Sequence, residues 1–453
     1  MYQSSVSQIF IVAFSIFILI FAIKSFEKAL LFIVFTLPII PDFFGFIISD
    51  SLTIVNVQKC SLTIIGLVWI VNKLTRKEYI FQRDFTSIAI IILVFAQSLS
   101  LISSTDIRNS LGFYARILIE WYLIFFIVSD TVKTIPQIKR ACTIIVASGV
   151  IIAVVAILRH ISDIYVFNFL PVVSAEALGY SGMKLRSGLS REFGVFEHAI
   201  LFGMYLNLIL PISFYIFIEK KEKMGKILYG CFFVFIIIAL FFTISRSAWI
   251  GGAVSIIIIF MFLKLKEKLK ISLIFILAIL ILNLLANNRV YDISLMQLSS
   301  FLNIKYTPFN SAVEYDLDMV QSLGGRIAKV EDGWKAVKDN PIFGTGLRNE
   351  QKTLGFSIGD NSYFMKIAIE SGLLGLASFL IVILSILFKL FFVFLKSSHT
   401  ENKFLALALL CSIIGYLISI QAATFYNIFY LFWIICALSN NMALLDSERV
   451  ISG

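Results

Sequence analysis

Thirteen stretches of this chain are long and apolar enough to seek a bilayer, and that repetition limits what its 453 residues can become. They lie near 8–23, 29–49, 55–72, 85–103, 111–129, 141–159, 197–218, 227–244, 247–263, 271–287, 372–395, 404–422 and 425–444. A helix crossing the hydrocarbon core needs about 20 mainly apolar residues. Inside the bilayer every backbone polar group must also find its partner within the protein. The first stretch is short and Pro38 and Pro41 interrupt the second, so twelve or thirteen crossings are expected. Composition agrees, with 59% hydrophobic and 15% charged residues, against about 45–50% and about 25% in a soluble domain. The fold class expected is all-α, a polytopic transmembrane helix bundle.

The formal charge of +10, from 38 Lys and Arg against 28 Asp and Glu, would suggest nucleic acid in a soluble protein. Here the cations sit between apolar spans, so membrane lipids are the expected surroundings and no nucleic-acid partner is expected. One set of connections carries twenty Lys and Arg, among them Lys24, Lys73, Lys139, Lys220, Lys264 and Lys396. The short connections of the opposite set carry only Lys59, Arg108 and Arg246. Basic residues mark the cytoplasmic side, which puts the C-terminus inside and, with thirteen spans, the N-terminus outside. The first span lacks a basic leader and is followed by Lys24 and Lys28, so it reads as a retained anchor. Cys60, Cys142, Cys231, Cys411 and Cys436 show neither disulfide nor metal-ligand spacing and read as small core residues.

Two outward connections break the pattern of short loops, and they divide the chain. Residues 1–287 form the N-terminal bundle with an outer loop at 160–196. Residues 288–359 form a large extracytoplasmic loop, and 360–453 the C-terminal spans. Long loops in compact proteins are commonly functional. In the second one Ile327, Val330, Trp334 and Val337 recur at helical spacing, as in an amphipathic helix lying on the bilayer or the bundle. Asn340-Pro341 would end that helix, and Gly344 and Gly346 would turn the chain.

Polar groups able to do chemistry gather on the outer face. Arg246 stands where two apolar spans meet with almost no loop. Its fork of donors suits a phosphate or diphosphate, and equally an interfacial arginine reaching for lipid phosphates. Arg186 and Arg191 occur in RSGLSREFGVFEHAILFG, with Glu192, Glu197 and His198 following within one or two turns. Such a cluster could bind an anion and accept a proton, or be a solvated loop. Asp360 begins DNSYFMKIAIESGLLG, as a general base or as the N-cap of the next helix. Lys366 and Glu370, like Arg116 and Glu120, are spaced i,i+4 and read as pairs that satisfy each other. There is no ladder of intramembrane acids of the kind a proton relay uses. Phosphate-loop, GxGxxG, HExxH and GxSxG signatures are absent too, so no cofactor and no metal is expected.

The segments RSGLSREFGVFEHAILFG, TISRSAWIGG, GGRIAKVEDGWKAVKDNPIFGTGL and DNSYFMKIAIESGLLGL, in that order, resemble the O-antigen ligase and polymerase family of bacterial envelope enzymes. The resemblance covers roughly residues 180–440. It implies a membrane-embedded, metal-independent glycosyltransferase that takes a glycan from undecaprenyl diphosphate at the outer face of the cytoplasmic membrane. The glycan passes to another lipid-linked glycan or to a different acceptor, as in lipopolysaccharide, capsule or exopolysaccharide assembly alongside other membrane proteins of the same process. By this resemblance Arg246, Arg326 and Arg186, with Arg191 beside it, would hold the diphosphate. Asp360, or in reserve Glu197 and His198, would serve the acceptor hydroxyl. Lipopolysaccharide ligases carry His before the Asn of a HisAsn motif, whereas this chain has Asp360 before Asn361. That departure tilts the expectation toward a polymerase, ahead of a ligase. A transporter or flippase of envelope precursors is the rival from another class, but it would place its polar groups at the bilayer midplane.

Overall fold

The computed structural model describes residues 2–41, 45–46, 55–79, 84–162, 185–186, 189–286, 289–301, 329–355, 362–421 and 427–452. The N-terminal helices are α1 (Tyr2–Lys24), α2 (Phe26–Thr36), α3 (Val57–Arg76), α4 (Phe85–Leu99), α5 (Ile107–Ile117), α6 (Ile124–Thr131) and α7 (Ile135–Ser162). Next come α8 (Ala199–Glu219), α9 (Lys223–Phe242), α10 (Arg246–Met261), α11 (Leu265–Leu285) and α12 (Val290–Phe301). A helix over 329–339 is α13, followed by α14 (Glu350–Leu354), α15 (Tyr363–Lys396), α16 (Thr400–Ser419) and α17 (Phe429–Ser452). A π-helical turn, Leu118–Leu123, joins α5 to α6. Extended structure among the described residues amounts to two antiparallel pairs of two residues each, Gly45–Phe46 with Val55–Asn56 and Leu185–Arg186 with Leu189–Ser190.

Nine of these helices, with α5 and α6 counted as one, are long and apolar enough to cross a membrane, and Gln8–Lys24, α4 and α10 are shorter apolar helices. Together they account for twelve of the thirteen stretches. The remaining one, 29–49, is the irregular span that its prolines foreshadow. There α2 ends at Thr36, after a rise of only about 16 Å. The protein is an all-α, multi-pass membrane protein.

The bundle is organised around α8, nearly all of whose residues are buried. Apolar side chains gain little by meeting each other in lipid, so close association falls to small residues that let backbones approach. At Gly203 a Cβ would come within 2.4 Å of the Ala248 Cβ, and at Gly251 one would meet the Gly415 carbonyl oxygen at 2.4 Å. Polar side chains fasten the same seam. Asn207 Nδ2 donates to the Ala248 carbonyl at 2.9 Å, and Ser255 Oγ to the Cys411 carbonyl at 2.8 Å. By contrast α11 fully buries only Ile271, Ala278 and Leu282 and exposes much of its surface, as a lipid-facing helix should. The rigid α8–α10–α16 unit carries the short α9–α10 turn at the end of the bundle expected to face outward.

Candidate functional site

The α9–α10 turn consists of Thr243, Ile244 and Ser245 and takes its sharpness from Ile244, held at φ +44°. A β-branched residue in that region is strained, and the packed helices on either side hold it there. The turn makes Arg246 the first residue of α10, half-buried at its N-terminus. Ser245 gives no side-chain cap bond to that first turn, so its amide groups are directed where an anion would sit. A second arginine reaches the same turn, with Arg191 Nε donating to the Thr243 carbonyl at 3.2 Å. The adjacent Glu192 N–H donates to the Phe242 carbonyl at 2.9 Å. Arg191 and Arg246 are 55 positions apart in sequence, yet one turn gathers both.

Beneath this turn Glu192 is almost completely buried, 1% exposed. Its carboxylate faces His160 Nδ1 at 3.3 Å and Arg159 Nε at 3.8 Å. The His160 ring stacks on Phe242 with centroids 3.8 Å apart, and the Arg159 guanidinium lies 4.0 Å from the Phe193 ring. A carboxylate placed between a guanidinium and an imidazole supports its neighbours, and here it anchors the segment that carries Arg191. Glu197 is nearby in sequence but turns elsewhere. Its Oε1 accepts from Asn427 Nδ2 at 2.8 Å, and the Asn427 carbonyl in turn accepts from Gln58 Nε2 at 3.0 Å. His198 is the N-cap of α8, with Nδ1 accepting from the Ile200 N–H at 3.0 Å. That bond fixes the neutral tautomer with its proton on Nε2, so a base role for His198 would break the cap.

The described C-terminal part of the large loop, 329–355, packs against α15. Its helix α13 ends at 339, ahead of Asn340-Pro341 as the sequence foretells. Its inward face is Ala336 and Val337 against Met365, Ala368 and Ile369. Trp334, expected in the apolar stripe, is 47% exposed and stands off that face. Gly344 (φ +71°) and Gly346 (φ +92°) then turn the chain so that Thr345 N–H donates to the Ile369 carbonyl at 2.8 Å and Gly346 N–H to the Glu370 carbonyl at 3.0 Å. The approach leaves no room for a side chain, since a Cβ at Gly372 would lie 2.0 Å from the Ile342 carbonyl oxygen. Lys366 and Glu370 do not simply pair with each other as their spacing suggests. Lys366 Nζ donates to Glu350 Oε1 at 2.6 Å and stands 3.6 Å from Glu370, whose carboxyl accepts the Arg348 N–H at 2.9 Å. Burial alone would raise the Glu350 carboxyl. The neighbouring Glu370 and Lys366 outweigh burial and hold it below its ordinary value.

Of the residues singled out from sequence, Arg246 and Arg191 meet at one turn, while Glu197 and His198 are placed in polar contacts of their own. Arg326 and Asp360 lie outside the described residues, as does the side chain of Arg186. The cap of α15 belongs to Ser362, whose Oγ accepts from the Met365 N–H at 3.3 Å, so the N-cap reading of Asp360 is corrected. Sequence reasoning missed Arg159 and Arg348. Arg159 closes an apolar helix and carries no motif, and Arg348 was hidden behind the glycines of GTGL. No group of three His, Cys, Asp or Glu able to hold a metal occurs among the described residues.

Residues 231–380 match the family model described as O-antigen ligase (Wzy_C), and this match bears out the resemblance to the O-antigen ligase and polymerase family. The matched region runs from α9 into α15. It includes Arg246, Arg326 and Asp360 and leaves Arg186, Arg191, Glu197 and His198 outside. No curated protein matches the chain.

Proposed function

With that family match as premise, we propose that this protein is a polysaccharide polymerase that joins undecaprenyl-diphosphate-linked repeat units at the outer face of the bacterial cytoplasmic membrane. The observation that carries the reading is the meeting of Arg191 and Arg246 at the α9–α10 turn, at the mouth of a helix whose first amides lack a side-chain cap. In the reaction the acceptor hydroxyl oxygen bonds to the anomeric carbon of the donor glycan. The bond from that carbon to the diphosphate oxygen breaks, and its electron pair leaves on undecaprenyl diphosphate. Negative charge therefore grows on the diphosphate, and guanidiniums held in advance are the groups that stabilise it. Arg326 and Arg186 complete the clamp in this reading. Asp360 takes the hydroxyl proton, with Glu197 as the second carboxylate. His198, committed to its cap, ranks behind both. The chemistry needs no metal, because the diphosphate is already a good leaving group.

The matched family's own description favours a second reading, a ligase that passes the finished glycan to a lipid or protein acceptor. One experiment separates the two and tests the clamp: profiling lipid-linked glycans in a strain without this protein, complemented by wild type or by Arg246→Ala. A polymerase leaves single repeat units on undecaprenyl diphosphate, whereas a ligase leaves long chains stranded on the carrier. Arg246→Ala should lower activity by about 100-fold or more at normal membrane abundance, with Lys a poor substitute because it lacks the bidentate fork. Wild-type glycan from both Arg246→Ala and Arg326→Ala would remove the clamp.

A further inference from the structure

A separate cleft opens between the N-terminal turns of α3 and α5 and the turn that carries Arg348. It encloses about 630 Å³, and four cations line it, Lys59, Arg108, Arg116 and Arg348, against two carboxylates, Asp106 and Glu120. Both carboxylates already have structural work. Glu120 Oε2 accepts from Arg116 Nε at 2.9 Å, and Asp106 caps α5 by accepting the Asn109 N–H at 3.2 Å. Gly112, Phe113, Ala115 and Ile119 add apolar wall, and Thr63 and Asn109 add polar groups. A positive pocket with apolar walls at the end of a membrane bundle suits an amphiphile with an anionic head.

Two backbone departures converge on this cleft. The π-helical turn Leu118–Leu123 lies at its floor and supplies Ile119 and Glu120. Such turns cost helix regularity and are common at functional sites. Arg348 is held at φ +61°, a region arginine rarely adopts, by its N–H on the Glu370 carboxyl and its carbonyl accepting from Asn109 Nδ2 at 3.4 Å. The result is an exposed guanidinium 6.0 Å from the Phe113 ring and turned into the cleft. Beside the cleft, Gln58, the neighbour of Lys59 in sequence, bonds Asn427, which bonds Glu197.

We propose that this cleft binds the diphosphate head of the acceptor, a second lipid-linked glycan presented from the bilayer. Donor and acceptor then hold separate cationic sites. The assignment to an acceptor rests on the polymerase reading above, but the binding of a prenyl diphosphate does not.

The test uses the full-length protein in phosphatidylcholine nanodiscs with radiolabelled farnesyl diphosphate as the probe. Two binding sites are expected. Gly112→Leu fills the cleft without disturbing packing, since a Cβ there meets nothing within 4 Å. That variant, and independently Arg108→Gln with Arg348→Gln, should weaken one site at least tenfold and leave the other, which Arg246→Ala removes. Unchanged binding in both cleft variants would overturn the proposal. So would displacement of the cleft-bound probe by phosphatidylglycerol at equal mole fraction, because the site would then hold a bulk lipid head. If the cleft binds while the strain without this protein strands long chains on the carrier instead of single repeat units, the polymerase reading fails and the diphosphate site stands.

Discussion

Two charged assemblies lie back to back at Arg348, and they differ in what their charges face. On one side Lys366, Glu350 and Glu370 form a knot in which each residue is 5% exposed or less and the charges answer one another. On the other side Lys59, Arg108, Arg116 and Arg348 surround open space, where Glu120 answers only Arg116 and Asp106 caps α5. A closed knot has nothing left to offer a ligand, and its value is to fix the turn. An open cluster holds like charges near one another, an arrangement that gains its stabilisation when an anion arrives. Arg348 serves both, with its backbone tied to the knot and its side chain given to the cleft.

The sharpest way to break this contrast is Lys366→Ala. It leaves two carboxyl groups buried together, and removing one partner of a buried ion pair costs about 3–5 kcal/mol. Thermal unfolding of the purified protein should show a loss of that size, whereas Arg108→Ala in the cleft should cost less than about 0.5 kcal/mol. Equal losses would mean that the knot and the cleft are not different in kind.

A middle-sized effect is expected at the hinge. Arg348→Gly relieves the left-handed backbone and should raise stability by up to about 1 kcal/mol while weakening the cleft's affinity for prenyl diphosphate. Stability and binding that fall together would make Arg348 part of the knot alone.

The smallest effect comes from acid. Glu350 is held below its ordinary value in the folded protein, so it contributes stability above its unfolded value of about 4.3. That contribution is lost as the pH falls through the lower folded value. Hydrogen exchange at the amides of Thr345, Gly346 and Arg348, corrected for its intrinsic pH dependence, should lose protection as the pH falls below about 4.3. Protection that stays flat through this range would separate Glu350 from the docking of the turn.

How much of this was legible beforehand follows from the range of each interaction. Hydropathy is a local property, so the spans, the break before Pro38 and the end of α13 at Asn340-Pro341 could be read directly. The pair Arg116–Glu120 was readable too, although a π turn interrupts the helix between them. Trp334 stands off the bundle face, and spacing alone cannot say which edge of an apolar stripe meets the bundle and which meets the bilayer. The knot was invisible for another reason. Lys366 and Glu350 are 16 positions apart, and only the double turn at Gly344 and Gly346 brings them together. Likewise Arg191 and Thr243 meet because separate helices deliver them, and no motif spans that distance.

One dimension of the bundle bears on where the reaction can happen. With 16 residues, α10 rises about 24 Å, several ångströms less than the roughly 30 Å thickness of a typical hydrocarbon core. It nevertheless faces lipid through Ile250, Ile257 and Met261. A helix too short for its membrane draws the headgroups down toward its ends. A bilayer of that thickness would dimple at Arg246, which stands at one of those ends. In the proposed function, acyl-chain length then becomes a control on activity: thicker membranes deepen the dimple and set how far a lipid-borne phosphate must sink to reach Arg246.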